Sequence, residues 1–338
     1  MLPGRKMRIM GSVFCAWMAI LLFVSLAAAQ GQWYRGNTHT HTAFSDGDAA
    51  PSVVVRWYKE HGYNFVVITD HDRYTPIDQG DFYASNLTAD FGQPGKFLVI
   101  GGEEVTDKVH LNAINVRESI KPQGGTDPVD IMNRNARAIR AAGGLPQVNH
   151  PNWHWRVNAD QLIAATEVKH FELFNAGRDC NNSGGGGAPS TEEMWDRVLS
   201  SGRVLYGLAS DDTHSLFGEF SMWQADPGRG WIVVKAAQLS APALVAAIDR
   251  GDFYASNGVE LVDYEQSDQE IRLELPPDKR HEVRYRTYFI GRDGQVLKRD
   301  DSLKPTYRFR GDELYVRARV EASNGTMAWT QPVFLGNK

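Results

Sequence analysis

Phe65-Val66-Val67-Ile68-Thr69-Asp70-His71-Asp72 decides the fold: an apolar, β-branched run breaks off abruptly into carboxylate and imidazole. A run of that length and composition reads as a buried strand. The same layout recurs along the chain. Trp33–Asn37 runs into Thr38-His39-Thr40-His41 and then Ser45-Asp46-Gly47. Phe97–Ile100 runs into Gly102-Glu103-Glu104, Leu145–Asn149 into His150-Pro151, and Val204–Ala209 into Asp211-Asp212-Thr213-His214. His110–Val116 begins at its histidine, and His170–Phe174 completes seven strand candidates.

Helices are expected between them. They are Pro51–His61, Pro128–Ala142 with Asp127 as N-cap, and Thr191–Ser200, where Ser190 and Glu193 form a capping box. Alternating strands and helices predict repeated βα units, an α/β chain closing into a TIM-like barrel, whose chemistry gathers at the C-terminal strand ends. Trp231–Lys235 reads as one more strand, and Ser240 is expected to cap a helix ending at Arg250-Gly251. From about Gly258 the pattern turns to short alternating strands, with turns at Arg292-Asp293-Gly294, Arg310-Gly311-Asp312 and Asn324-Gly325. The expected organisation is therefore a barrel over 33–257 and a small C-terminal β-sandwich over 258–338. The heptad Gly-Asp-Phe-Tyr-Ala-Ser-Asn occurs at Gly80–Asn86 and again at Gly251–Asn257, but the flanks share nothing, so no repeat architecture follows.

With 338 residues, 42% of them hydrophobic, the chain has ample material for a packed core. Its net charge of −5 argues against stable, general nucleic-acid binding. Arg5, Lys6 and Arg8, an apolar run to Leu26 and Ala27-Ala28-Ala29 follow the order of a secretory signal peptide. The expectation is cleavage after Ala29, export to a periplasm or beyond, and no membrane span in the mature chain. An uncleaved anchor is the alternative. Cys15 lies in that leader, which leaves Cys180 alone, unable to form an internal disulfide and without a neighbouring histidine.

His39 and His41 are spaced to share one strand face, and Asp212 and His214 repeat that spacing. With Asp46, His71, Glu104, His110 and His150 they make nine candidate ligands. Imidazole and carboxylate without thiolate suit two or three divalent ions, Zn, Mn or Fe, in open coordination. Such a centre generates a metal-bound hydroxide and neutralises a leaving group. Asp70, Asp72, Glu103 and Asp211 adjoin ligands and are expected to orient the imidazoles. His154 is a candidate rim acid, while Arg73, Lys108 and Arg178 are candidate cations for substrate oxygens, Arg73 being the least arbitrary. His61, His170 and His281 have no comparable company and read as structural.

Together, the motifs Asn37-Thr38-His39-Thr40-His41-Thr42, Ser45-Asp46-Gly47, Val67-Ile68-Thr69-Asp70-His71, Gly102-Glu103-Glu104, Gly144–Asn152 and Ser210-Asp211-Asp212-Thr213-His214 resemble the PHP (polymerase and histidinol phosphatase) superfamily. The resemblance spans about Trp33 to His214. It implies a distorted (β/α)7 barrel, a two- or three-metal centre and phosphoester hydrolysis. The nine residues would be the ligands, with Glu104 bridging two ions, and Asp212 preferred over Asp211 because the family pair is spaced Asp-x-His. The leader and the C-terminal β domain depart from many members and also resemble exported hydrolases similar to carbamate-ester hydrolases. The expected substrate is a small phosphorylated or ester compound, a nucleotide or an oligonucleotide end. Carbamate or carboxylic ester hydrolysis, and a non-catalytic metal-holding binding module, are the alternatives.

Overall fold

The computed structural model describes residue 1 and residues 31–76, 97–217, 225–277 and 282–336. The expected leader, the first copy of the heptad and His281 lie outside the described residues. Among the described residues, no helix is long and apolar enough to cross a membrane.

Seven strands follow one another: β1 (Gln32–Asn37), β2 (Phe65–Ile68), β3 (Leu98–Val105), β4 (Leu111–Ile114), β5 (Leu145–Val148), β6 (His170–Asn175) and β7 (Tyr206–Ser210). They are hydrogen-bonded neighbours in chain order. β2 and β5 are buried at every position, as runs covered on both faces must be. Beyond the strand ends, His41 N–H donates to Thr213 O (2.9 Å) and Asp212 N–H to His39 O (3.1 Å), so the chain leaving β1 lies beside the chain leaving β7.

The pairs β1–β2, β2–β3, β5–β6 and β6–β7 are parallel. β4 is not: it runs antiparallel to both β3 and β5, which corrects the expectation of uniform βα repeats. Only residues 106–110 join β3 to β4. A parallel return needs about a dozen residues or more, so a hairpin is the sole geometry available. The reversal also explains why His110 precedes its strand. It enters β4 at the rim where the parallel strands end.

Four helices accompany these strands: α1 (Pro51–Glu60), α2 (Pro128–Ala141), α3 (Ala159–Ala164) and α4 (Thr191–Ser200). The Asp127 carboxylate accepts from Val129 N and Asp130 N, and the Ser190–Glu193 capping box forms as expected. α3 was not anticipated. Its Asn158–Gln161 capping box is present, but six residues are too few to show a helical period.

After β8 (Trp231–Ala236), α5 (Ala241–Arg250) and β9 (Phe253–Ser256), the chain forms β10 (Asp263–Gln266), β11 (Glu270–Glu274), β12 (Tyr285–Ile290), β13 (Val296–Asp300), β14 (Thr306–Arg308), β15 (Tyr315–Ala322), β16 (Met327–Thr330) and β17 (Val333–Phe334). Ser240 stands at the N-cap of α5 but makes no side-chain cap. The helix ends on Gly251, whose φ of 81° favours glycine.

β8 pairs with β1, and the sheet then continues through β9, β16, β15 and β12 to β13, making 14 strands in all with β17. β10, β11 and β14 form a separate antiparallel sheet. Its Tyr264, Ile271 and Leu273 share a buried cluster with Phe289, Val316 and Ala318 of the large sheet.

Two polar ties fasten the last strands to the first seven. Gln331 accepts from Gly207 N (2.9 Å) and donates to Gly207 O (2.8 Å), standing in for a strand neighbour along β7. Arg317 on β15 is fully buried and donates to both carboxylate oxygens of Asp196 on α4, at 2.8 and 2.6 Å. Tyr315 OH also donates to Asp196 (2.9 Å), and Glu192 lies 2.8 Å from Arg317 and 3.1 Å from Arg319.

His170 is structural, as its isolation suggested. Its Nε2–H reaches Ile248 O at 3.1 Å, Nδ1 is buried with no hydrogen bond, and burial depresses the pKa from 6.5 to about 4. As pH falls, the unfolded chain therefore takes the proton first. Stability present above pH 6.5 declines towards pH 4, by about 3 kcal/mol in total. The melting temperature of His170→Gln should fall less steeply than the parent's across that window; parallel curves would refute the assignment.

Candidate metal centre

Backbone pairing past the strand ends assembles the site. A parallel bridge sets His71 beside Glu104, with Asp72 N–H donating to Glu104 O (2.9 Å) and Glu104 N–H to Asp70 O (3.1 Å). Glu104 itself lies inside β3 rather than after it. His150 follows β5, and its N–H donates to Glu172 Oε2 (2.7 Å). His150 (φ 23°) and Asp212 (φ 52°) both sit in the left-handed region, a cost that surrounding contacts must offset and that is common where side chains are aimed at a site.

All nine candidate ligands come together. The buried Glu104 carboxylate lies 3.4 Å from His39 Nε2, 3.3 Å from His41 Nε2, 3.0 Å from His71 Nδ1, 3.1 Å from His110 Nδ1 and 3.3 Å from His150 Nε2. Asp212 Oδ1 lies 3.1 and 3.0 Å from the Nε2 atoms of His39 and His41, which are themselves 3.1 Å apart. Asp46, half exposed, lies 3.5 Å from His41, 3.5 Å from His71 and 3.4 Å from His214. Three groups of donor atoms result, each compact enough for one ion: His41, Asp46, His71 and His214; His39, His41 and Asp212; and His71, Glu104 and His110.

These residues fit divalent cations. Donor bonds of 2.0–2.2 Å place neighbouring ligand atoms about 2.8–3.6 Å apart around one octahedral or tetrahedral ion, a range that contains the 3.0–3.5 Å found here. Asp212 Oδ1 is buried and meets the two Nε2 atoms without a hydrogen bond of good geometry, as suits an oxygen shared with them around an ion.

Electrostatics agree. Burial disfavours charge throughout, yet Asp212, Glu104 and Glu172 together hold the His39 pKa well above its ordinary value. Burial likewise opposes the shift at His214, which Asp46 and Asp212 raise to about 9. Glu104 and Asp212 are held well below the usual carboxylate range despite their burial, each by histidines, His39 foremost among them. Protons thus compete for the places of cations.

The acids expected to orient imidazoles do other work. Asp70 accepts from Thr42 N (2.7 Å), Ser45 Oγ (2.9 Å) and Thr75 Oγ1, fixing the turn that carries Asp46. Asp211 accepts from Gly228, Arg229 and Gly230 N–H at 2.9, 2.6 and 2.7 Å, and from Tyr58 OH at 2.8 Å. Asp72 accepts from Thr106 N (2.7 Å) and Glu103 from Ile120 N (2.8 Å). The orienting carboxylate is Glu172 on β6, 2.7 Å from His39 Nδ1, which turns Nε2 towards Asp212. Its signal was a lone acid inside the apolar stretch His170-Phe171-Glu172-Leu173-Phe174.

A cavity of about 620 Å³ opens over the cage, walled by Trp153, Thr106, Asp48, Asp179 and Cys180. Trp153 Nε1–H donates to Asp179 (2.7 Å), and its ring centre lies 5.1 Å from those of His110 and His150. Among the described residues no lysine or arginine lines this cavity. Arg73 instead lies 4.4 Å over the Phe44 ring, and Lys108 and His154 are exposed outside the lining. The Cys180 thiol is buried, and burial followed by the nearby carboxylates pushes its pKa well up.

No family model matches this chain, and no curated protein matches it by sequence. Solved structures do match. A two-domain protein from Bacteroides vulgatus containing a predicted PHP-like metal-dependent phosphoesterase superposes with a TM-score of 0.50 at 17% identity, covering 90% of this chain and 96% of that chain. A proposed metal-dependent phosphoesterase from Bifidobacterium adolescentis matches at a TM-score of 0.39 and 15% identity, over 59% of this chain and 93% of that one. The first match establishes that this chain shares the fold of a PHP-like two-domain protein, with clusters of histidine and carboxylate buried at the strand ends.

Proposed function

We propose that the protein is a metal-dependent phosphoesterase whose two or three divalent ions occupy this cage. The observation that carries the reading is the buried Glu104 carboxylate within reach of five imidazoles. His41 and His71 each belong to two of the three donor groups, and Glu104 belongs to the third with His71 and His110, so these residues would hold the ions. The fold is read as a distorted seven-stranded barrel carrying a C-terminal β-sandwich. The basic and apolar leader supports export to the periplasm or beyond.

Bound ions would supply Lewis-acid charge for a phosphoester oxygen and bring the pKa of water towards neutrality. The chain does the positioning. Glu172 fixes the orientation of His39, Asp70 fixes the turn bearing Asp46, and Trp153 with Asp179 closes one side of the cavity. A carboxylic ester or carbamate substrate is the second reading. It is favoured by the lack of a described lysine or arginine lining the cage cavity, since a carbonyl needs no cationic clamp.

Protein loaded with Zn or Mn should hydrolyse 4-nitrophenyl phosphate, lose that activity to a chelator and regain it on metal return. Turnover of 4-nitrophenyl acetate alone, responding to metal in the same way, would replace the phosphoester reading with the carbonyl one.

A further inference from the structure

Two of the candidate ligands lack the hydrogen bond that ordinarily fixes an imidazole beside an ion. His39 has Glu172 on its Nδ1 (2.7 Å), His71 has Thr106 Oγ1 on its Nδ1 (2.6 Å), and His214 Nδ1–H donates to Asp212 O (2.7 Å). A partner of that kind sets which way the ring points. Among the described residues, the rings of His110 and His150 hydrogen-bond only to Glu104, at 3.1 and 3.3 Å. Their backbones offer little further restraint: His110 closes the five-residue connection from β3 to β4, and His150 stands at a φ of 23°. Something other than a hydrogen bond has to aim them.

Trp153 stands where that restraint is missing. Its ring centre and those of His110 and His150 are 5.1 Å apart in every pair, with interplanar angles of 55°, 69° and 76°. Tilted and edge-to-face contacts at this range are the attractive arrangement for aromatic rings. The indole is itself held. Its Nε1–H donates to Asp179 (2.7 Å), its main-chain N–H donates to His150 O (2.9 Å), and the Arg156 guanidinium lies 4.3 Å over the ring. Arg156 also donates to Lys108 O (2.8 Å), two residues before His110. One arginine thus ties the connection that carries His110 to the turn that carries His150 and Trp153. The contact is selective within the cage: of the three donor groups, only the one made by His71, Glu104 and His110 contains a ring that packs on Trp153.

We infer that Trp153 is a positioning residue: clamped by Arg156 and Asp179, it aims His110 and His150 at Glu104 and so sets the affinity for one ion, that of the His71, Glu104 and His110 group, without touching the other two groups. Packed aromatic surface does for these imidazoles what the Glu172 carboxylate does for His39. The inference rests on the metal-centre part of the proposed function and needs no particular substrate.

The test titrates metal-free, full-length protein with Co(II), followed by calorimetry and by the visible absorption of the bound ion. In Trp153→Ala one binding step should weaken roughly tenfold or more, with an altered absorption band for that ion, while the remaining steps keep parent affinity. Trp153→Phe retains a ring and should recover most of the loss. Arg156→Met alters only a group outside the cavity lining and should weaken the same step about threefold; it decides the question alone if Trp153→Ala does not fold by circular dichroism. Parent affinity at every step, or equal weakening of all steps, would overturn the inference, the second outcome being what a merely structural tryptophan produces. An ion-specific loss in protein that hydrolyses no 4-nitrophenyl phosphate would leave the inference standing and sink the phosphoesterase reading. Parent protein that takes up no Co(II) would sink both.

Discussion

Replacing Glu104 with glutamine should strip at least one ion from each chain and reduce turnover on the order of 10³-fold or more. The substitution keeps the shape of the side chain and removes its charge. Five imidazole nitrogens then face an amide where they had a carboxylate, at distances of 3.0–3.4 Å. A neutral amide cannot bridge cations, and its NH2 group would point at donors or at ions. Elemental analysis of protein reconstituted and desalted in parallel with the parent measures the first effect, and initial rates measure the second. A variant with the full metal complement and parental activity would remove Glu104 from the centre of the site.

The second large effect is expected far from the metal cage. Arg317→Met should cost about 3–5 kcal/mol of stability, because it leaves Asp196 without its buried counter-charge and Glu192 with Arg319 alone. The Asp196 carboxylate keeps one donor from Tyr315 OH and loses two from the guanidinium. Urea unfolding read by tryptophan fluorescence should show a lower midpoint, and Arg317→Met/Asp196→Leu should recover part of the loss by removing the stranded charge. A single variant within about 1 kcal/mol of the parent would mean that the pair is dispensable for holding β15 to α4.

The cluster of histidines and acids could be read from the chain because strand ends advertise themselves: a β-branched run that stops at a histidine or acid says both where the strand finishes and what it presents. His39, His41, His71, His150 and Asp212 were legible on that ground. The direction of β4 was written in the five-residue connection between Val105 and Leu111 but was masked by the regularity of its neighbours. Glu172 was harder, since an acid within an apolar strand carries no mark that tells a polar partner from a surface position. Asp70 and Asp211 were misjudged for a related reason. Adjacency along an extended chain sends side chains to opposite faces, so the neighbour of a ligand points away from it. The joining of the sheet through β8 and β9 could not be foreseen, because nothing local in a strand names a partner 72 residues away, as Ser256 pairs with Ala328.

That continuous sheet gives the molecule a shared spine, with no natural seam where a shears-and-paste engineer would look for one. Ending the chain after β9 would bare the backbone donors and acceptors that β16 now satisfies and invite chains to pair edge to edge. Any attempt to shrink this protein to its strand-end cluster of histidines and acids must first supply a replacement for that flank.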